Sequence, residues 1–451
     1  MLEGARSIID MLHEKGFESF LVGGCVRDLL MKRVQSDVDI ATGARPEEVM
    51  EIFSGEEFFS VPTGLAHGTV TVVLGGINFE VTTFRRELST DGRRATVEFG
   101  TSMEEDLARR DFTINAIAFC PRTGRYIDPF GGREDIGKKL IRAVGVPLER
   151  FREDYLRIFR AHRFEAALEF AIDGPTREAI KSAASEEWER VVSPERIREE
   201  ITRCFKQAEA PSIMLEGMRE SGMLERLFPE LMRCPGFEQN RHHEYDLYCH
   251  TLLTVDATPR TRPLVRWAAL FHDLGKVDAC ENYGPGATFY GHERISEELA
   301  RGIMSRLRFG NSDKARVLNL VRHHLFHYTD DMKGPALRRL VASVGEENVE
   351  ELCILKHADR IAKSSGPAPD YEEGAGAILK RLERMAAEEK LFKIKDLAIS
   401  GKDVMEIKGM GPSREVGEIL KALYETVLED PAKNTKEKLK KMVEEMVRDG
   451  A

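Results

Sequence analysis

LVGGCVRDLL (residues 21–30), followed within six residues by SDVDIAT (36–42), is the stretch that decides the fold. An apolar run leads into Gly23 and Gly24, and a helical pattern follows. This predicts a strand, a tight turn and a helix whose N-terminus offers unpaired N–H donors. Glycines there let backbone approach a phosphate closely. Arg27 lies one turn into that helix, within reach of a triphosphate. In the second run Asp37 and Asp39 stand two residues apart in an apolar strand, so both carboxylates project from one face. Paired carboxylates can hold Mg²⁺ together with water and substrate oxygens. A glycine pair alone is an ordinary turn, and an Asp-x-Asp alone a solvated edge. Their combination at this separation points to metal-assisted chemistry on a phosphate substrate.

Around this core the pattern alternates. Residues 20–23, 37–41, 69–74, 78–83 and 116–120 are short β-branched or apolar runs with helical periods between several of them. Residues 1–145 therefore read as a mixed α/β unit with a small sheet. Gly75-Gly76 makes a hairpin turn, and the polar stretch 86–103 reads as a mobile loop. Beyond residue 146 strand signals nearly vanish. Helices are expected over 149–170, 175–185, 194–206 and 211–227, several opened by proline in the first turn. Residues 146–235 thus form a helical neck and 236–365 a second helical block. The stretch SSGPAPDYEEGAG (364–376) is a linker, and 366–451 a helical tail. The fold class is α+β, a small mixed-sheet head followed by all-helical parts.

Size and charge fit this plan. A chain of 451 residues exceeds one hydrophobic core and suggests about three domains. A 42% hydrophobic and 32% charged composition excludes a disordered or fibrous protein. Net charge is −10, so any nucleic-acid surface must be local. Between 131 and 164 nine basic residues stand against five acidic ones, which makes such a strip. No apolar run is long enough to span a membrane, and the N-terminal helical pattern lacks a signal peptide's apolar core. Seven scattered cysteines without a C-x-x-C point to reduced thiols and a cytoplasmic setting.

GGCVRDLL with SDVDIAT resembles the signature of the class II tRNA nucleotidyltransferase and bacterial poly(A) polymerase family. HGTVTVV (67–73), RRDFTINAIAF (109–119), DPFGGREDI (128–136) and REDYLRIFRAHRF (152–164) continue the resemblance in order. The resemblance implies a nucleotidyltransferase head using Mg²⁺ on Asp37 and Asp39, with CTP and ATP as substrates and the tRNA 3′ end as partner. Gly23, Gly24, Arg27 and Arg110 would contact the incoming nucleotide, and Asp111 its ribose.

Within 152–164, read as one helix, Asp154, Arg157 and Arg160 recur every three residues and share a side. A carboxylate accepting from an exocyclic amino group, beside a donating guanidinium, admits cytosine and adenine and leaves uracil and guanine unpaired. Arg163 also fits the nucleotide-binding pattern of the resemblance, although by geometry it has turned away from Asp154. HGTVTVV speaks against poly(A) synthesis. The retained stretch 83–107 favours complete CCA addition or A addition over CC addition alone.

Nine of the chain's twelve histidines fall in the second helical block. His250, His272-Asp273 in FHDLGK, and Asp359 resemble the ligand series of the HD phosphohydrolase superfamily. His292 and His323 match the extra ligands of its two-metal members, with tandem His323-His324 leaving that ligand open. Imidazole with carboxylate suits Mn, Fe, Ni or Zn. Two other functions compete: a phosphohydrolase whose head only holds RNA, and a non-catalytic RNA adaptor. GMGPS (409–413) opens a helix in the tail. The sequence carries no reading of oligomeric state.

Overall fold

The computed structural model describes residues 1–34, 38–55, 58–65, 68–90, 95–326, 334–366, 370, 376–377, 379–381, 384 and 394–449. The chain divides into two units, Met1–Pro229 and Glu230–Ala451.

The first unit is built on a mixed seven-stranded sheet. Its strands are β1 (Ser19–Val22), β2 (Asp39–Thr42), β3 (Phe58–Gly64), β4 (Thr69–Leu74) and β5 (Ile77–Thr83), then Ala118–Cys120 and Arg125–Ile127. The order is β3-β4-β5-β2-β1, continued by the last two. Only β2 and β5 pair in parallel among these strands. Helix α1 (Leu2–Glu14) lays Ala5, Ile8, Ile9 and Leu12 on one face, a 3.6-residue stripe, against the sheet core of Ile40, Val70, Val72, Phe79 and Val81. Helix α2 (Gly24–Leu30) follows β1 directly.

The stretch 86–103, expected as a mobile loop, is instead a second sheet for the part that is described. Arg85–Thr90 and Ala95–Phe99 pair antiparallel, and Met103–Ala108 is already helix, capped by Ser102. Threonine, valine and phenylalanine supply the β-propensity that a polar composition concealed. The strand Phe58–Gly64 was also missed. Its exposed Phe59 and Val61 lack the burial that usually marks a strand.

The helix expected over 149–170 is two helices. Helix α3 (Pro147–Glu153) stops at Asp154, whose φ of −152° and ψ of 103° are extended, and α4 (Leu156–Leu168) begins two residues later. Asp154 causes the restart, since its Oδ1 accepts from the Leu156 N–H at 3.1 Å. A side-chain acceptor for an orphan N–H competes with continued helix. Helix α5 (Pro194–Gln207) packs beside α4 through Ile197, Ile201, Cys204 and Phe205.

The second unit is helical. In order, α6 (Leu247–Ala257), α7 (Pro263–Phe271), α8 (Lys276–Ala279), α9 (His292–Arg306), α10 (Asn311–His323), α11 (Gly334–Val344) and α12 (Glu346–Ile361) precede the tail. The tail helices Gly401–Lys408, Arg414–Glu429 and Lys436–Asp449 enclose a small core of their own, with Val404, Leu423, Val427 and Leu439 fully buried or nearly so. Gly409, the first residue of GMGPS, is at φ 64° the left-handed cap that ends the first of them. No helix among the described residues is long and apolar enough to cross a membrane. None of the seven cysteines forms a disulfide.

Candidate functional site

The first unit holds a cleft of about 520 Å³ between its sheet and helices α4 and α5. Nine arginines and four aspartates line it, so its wall carries a positive excess within a chain of net charge −10. Gly23 joins β1 to α2 at φ 74°, a conformation L side chains avoid, and a Cβ there would come within 2.8 Å of the Arg110 guanidinium. The glycine thus serves both the turn and the close approach of Arg110. Asp39 opens β2 opposite Val22, which puts its carboxylate at the same end of the sheet. Asp37 lies outside the described residues.

The arginines are held by buried or half-buried partners. Arg27 Nη1 donates to Asn115 Oδ1 at 2.8 Å, and its Nε to Asp28 at 2.9 Å. Arg110 Nη2 donates to Asp106 at 3.1 Å. Arg160 Nε and Nη2 both reach Asp111 Oδ2, at 2.7 and 2.6 Å. Burial works against ionising Asp111, yet Arg160, Asn115 and the Phe112 N–H together bring its pKa down to about 2. Asp111 therefore holds Arg160 and braces its own loop. Phe164 carries guanidinium carbons of Arg163, Arg27 and Arg160 at 4.1, 5.1 and 5.5 Å from its ring centroid.

Asp154 and Arg157 both line the cleft but do not pair with each other. Arg157 Nη1 donates to Glu153 at 2.7 Å and to the Arg150 carbonyl at 2.9 Å. Its Nη2 donates to the Arg109 carbonyl at 3.0 Å. Asp154 Oδ2 accepts instead from Arg196 Nη2 at 2.8 Å. The helix break separates the two residues that a single helix would have stacked. Arg163 Nε donates to buried Glu200 at 2.6 Å and its Nη1 to Gln207 at 3.1 Å. Arg196, Glu200, Arg203 and Gln207, all on α5, were missed by the sequence reading. A buried glutamate in a strongly amphipathic helix was the available signal.

In the second unit His250, His272, Asp273 and Asp359 bring ligand atoms within 4.8 Å of one another, and Asp273, His292 and His324 form a second such group. Asp273 is shared. Its Oδ2 faces His250 and His272 at 3.4 and 3.1 Å, while its Oδ1 faces His292 and His324 at 3.0 and 3.3 Å. Asp359 Oδ1 lies 3.3 Å from His250 and 3.9 Å from His272. All four rings are anchored on the far side. Their Nδ1 atoms meet the carbonyls of Ala362, Ala269, Phe289 and Val321 at 3.2, 2.7, 2.6 and 2.7 Å. An Nδ1–H donated to a carbonyl leaves Nε2 with its lone pair toward the carboxylates, the arrangement a metal-ligating imidazole needs. These donors fit divalent metal ions.

Of the tandem pair, His324 occupies this position and His323, offered from sequence, does not. His324 continues the buried stripe of Val317, Leu320 and Val321 at helical spacing, whereas His323 is turned 100° away and half-buried. Burial drives the His324 pKa down to about 4, against the pull of Asp273. Burial opposes ionisation of Asp273 too, but His272 and Lys276 hold it well below the usual carboxylate range. His327 lies outside the described residues.

Residues 19–142 match the family described as Poly A polymerase head domain, 169–234 the "Probable RNA and SrmB- binding site of polymerase A", and 249–364 the HD domain. The CCA-adding enzyme of Lactobacillus delbrueckii subsp. bulgaricus is 49% identical over 201 residues, 44% of this chain and about half, 49%, of that relative's length. The CCA-adding enzyme of Limosilactobacillus reuteri is 31% identical over 453 residues, 100% of this chain and 98% of the relative. Among solved structures, the Bacillus stearothermophilus CCA-adding enzyme in complex with CTP superposes with a TM-score of 0.72 at 31% identity, covering 99% of this chain and 97% of that one.

Proposed function

Since this chain belongs to the CCA-adding enzyme family, we propose that it adds CCA to the 3′ end of tRNA from CTP and ATP, without a nucleic-acid template. The observation that carries this is the single cleft that sets Asp39 beside Gly23 and a wall of arginines, with Asp154 and Arg157 on its helical side. Arg27 and Arg110 bind the triphosphate, and Arg160 and Arg163 extend that anion-binding wall. Asp154 and Arg157 meet the base. The carboxylate accepts its exocyclic amino group and the guanidinium donates to its ring nitrogen or carbonyl. Gly24, at the head of α2, leaves room for phosphate oxygens against free N–H groups. Asp39, with Asp37, would hold Mg²⁺, which when bound offsets phosphate charge and makes the attacking hydroxyl more acidic. The tRNA 3′-hydroxyl attacks the α-phosphorus, its proton is lost, and pyrophosphate leaves.

We keep 1–145, 146–235, 236–365 and 366–451 as the functional division into head, neck, HD domain and tail, and the cytoplasm as the place of action. Three tRNA transcripts, ending before CCA, after C and after CC, each incubated with CTP, ATP or both, test the reading. The expected result is completion of CCA on all three when both nucleotides are present. Product halted at CC with ATP present makes the protein a CC-adding enzyme, and reaction on the CC-ended transcript alone makes it an A-adding one.

A second reading is favoured by the four anchored histidines. The HD site would bind a transition metal such as Mn, Ni, Fe or Zn and hydrolyse a phosphoester. Its metal-supplied chemistry is a water made acidic enough to attack near neutral pH.

A further inference from the structure

Three lysines surround the HD carboxylates. Lys276 Nζ lies 2.6 Å from Asp273 Oδ2, and Lys363 and Lys356 Nζ lie 3.3 and 3.6 Å from Asp359 Oδ2. The two faces of Asp359 are divided. Oδ1 turns to His250 and His272, and Oδ2 to the two lysines. Lys356 stands three residues before Asp359 on α12 and Lys363 four after it, just past the end of that helix, so both flank the same carboxylate. They are not competing for the oxygen that faces the imidazoles, and metal binding on Oδ1 leaves them in place.

The charge balance is decisive. Two carboxylates against three ammonium groups already leave the centre positive. One divalent ion raises the excess to +3 and two raise it to +5, around His and Asp ligands that are themselves buried. An uncompensated charge of that size in a low-dielectric site is costly unless an anion completes it. Lys356 and Lys363 remain 22% and 32% exposed at their side chains, so their remaining N–H donors can be reached from solvent. A cleft of about 500 Å³ adjoins the same centre. Gln239 and His243 line it. Gln239 accepts from Lys276 at 2.8 Å, and the His243 ring meets that of His250 at 5.1 Å between centroids.

We propose that Lys356 and Lys363 form the anion-recognition subsite of the HD centre, taking the phosphate oxygens of a phosphate ester whose organic part occupies the adjoining cleft. This rests on the metal reading of the HD site and adds the residues that select a phosphate ligand there. Lysine ammonium groups are compact point charges suited to phosphate, and each retains donors beyond its carboxylate contact.

Full-length protein loaded with Co²⁺ provides the test, because cobalt ligated by imidazole reports its own surroundings through visible absorption. Inorganic phosphate is titrated into wild type, Lys356→Gln, Lys363→Gln, the double variant and Lys363→Arg, after cobalt content is measured for each. We expect equal cobalt in all five, phosphate affinity about tenfold weaker in each Gln variant, a larger loss in the double variant, and near wild-type affinity in Lys363→Arg. Wild type that takes up no cobalt would remove the metal reading and the inference with it. Full cobalt with unchanged phosphate affinity in the double variant would overturn the lysine assignment while leaving the metal reading intact. Loss of cobalt in the Gln variants would also overturn it, by making the lysines anchors of Asp359.

Discussion

Arg160 and Asp111 meet across 49 residues of sequence, with two guanidinium nitrogens on one buried carboxylate oxygen at 2.7 and 2.6 Å. The contact ties helix α4 to the loop that carries Arg110, so the residues proposed to meet base and triphosphate are fixed to one another.

The acid behaviour of that contact follows from the sign of the shift. The Asp111 pKa falls from 3.8 to about 2 on folding, so its stabilisation is present above pH 4 and lost as pH drops through the folded value. A shift of this size corresponds to about 2 kcal/mol. Asp111→Asn should therefore destabilise the first unit by roughly that amount at pH 7, with a clearly smaller difference near pH 3. Urea unfolding followed by Trp188 fluorescence in a Trp267→Phe background isolates this unit. A difference independent of pH would show that the ion pair contributes nothing.

Asp39→Asn should lower nucleotide addition by more than about a thousandfold with its circular dichroism unchanged. The substitution removes the charge of the carboxylate proposed to hold Mg²⁺ at nearly constant volume. Radiolabelled CTP incorporation on tRNA measures it, and activity within tenfold of wild type would dismiss the metal assignment.

Base choice should depend on Asp154 and, through it, on Arg196. Asp154→Ala is expected to relax discrimination against UTP and GTP by about 1–3 kcal/mol. Arg196→Ala should act in the same direction but less, because the carboxylate stays present while losing its 2.8 Å restraint. Ratios of kcat/KM for CTP and UTP give the answer. An Arg196 variant that lowers both values equally would place the residue in general packing.

The tandem histidines separate cleanly. His324→Ala should reduce transition-metal content of the purified protein, as should His272→Ala, whereas His323→Ala should leave it unchanged. Nucleotide addition is expected to persist in all three. Equal metal content in His323→Ala and His324→Ala proteins would contradict the placement of His324.

Much of the site was legible because its chemistry sits in local patterns. A strand-glycine-helix turn and an Asp-x-Asp are read from neighbours in sequence, and the expected runs at 69–74 and 78–83 coincide with β4 and β5 to within a residue. What escaped depends on partners far along the chain. Asp154 ends one helix because its carboxylate caps the next, and it leaves Arg157 to the Arg109 carbonyl, 48 residues away. Helical spacing from residue 152 could not register that break. The choice between His323 and His324 turned on a single 100° step, which the buried stripe of α10 decides and composition does not. Arg196 and Glu200 belong to no short motif, and their importance comes only from where α5 packs.

The ring of Phe164, with three guanidinium groups within 5.5 Å of its centroid, has a consequence for folding itself. Like charges gathered around one aromatic ring repel, and the carboxylates in that cleft are fewer than its arginines. A polyanion entering the cleft supplies the missing counter-charge, so it should behave as a stabiliser of the first unit even when it carries no base. Tripolyphosphate at a hundred times its dissociation constant would add about 2.7 kcal/mol to the unfolding free energy by mass action. The protein in a cell well supplied with nucleotide is then a sturdier molecule than the same chain purified free of it.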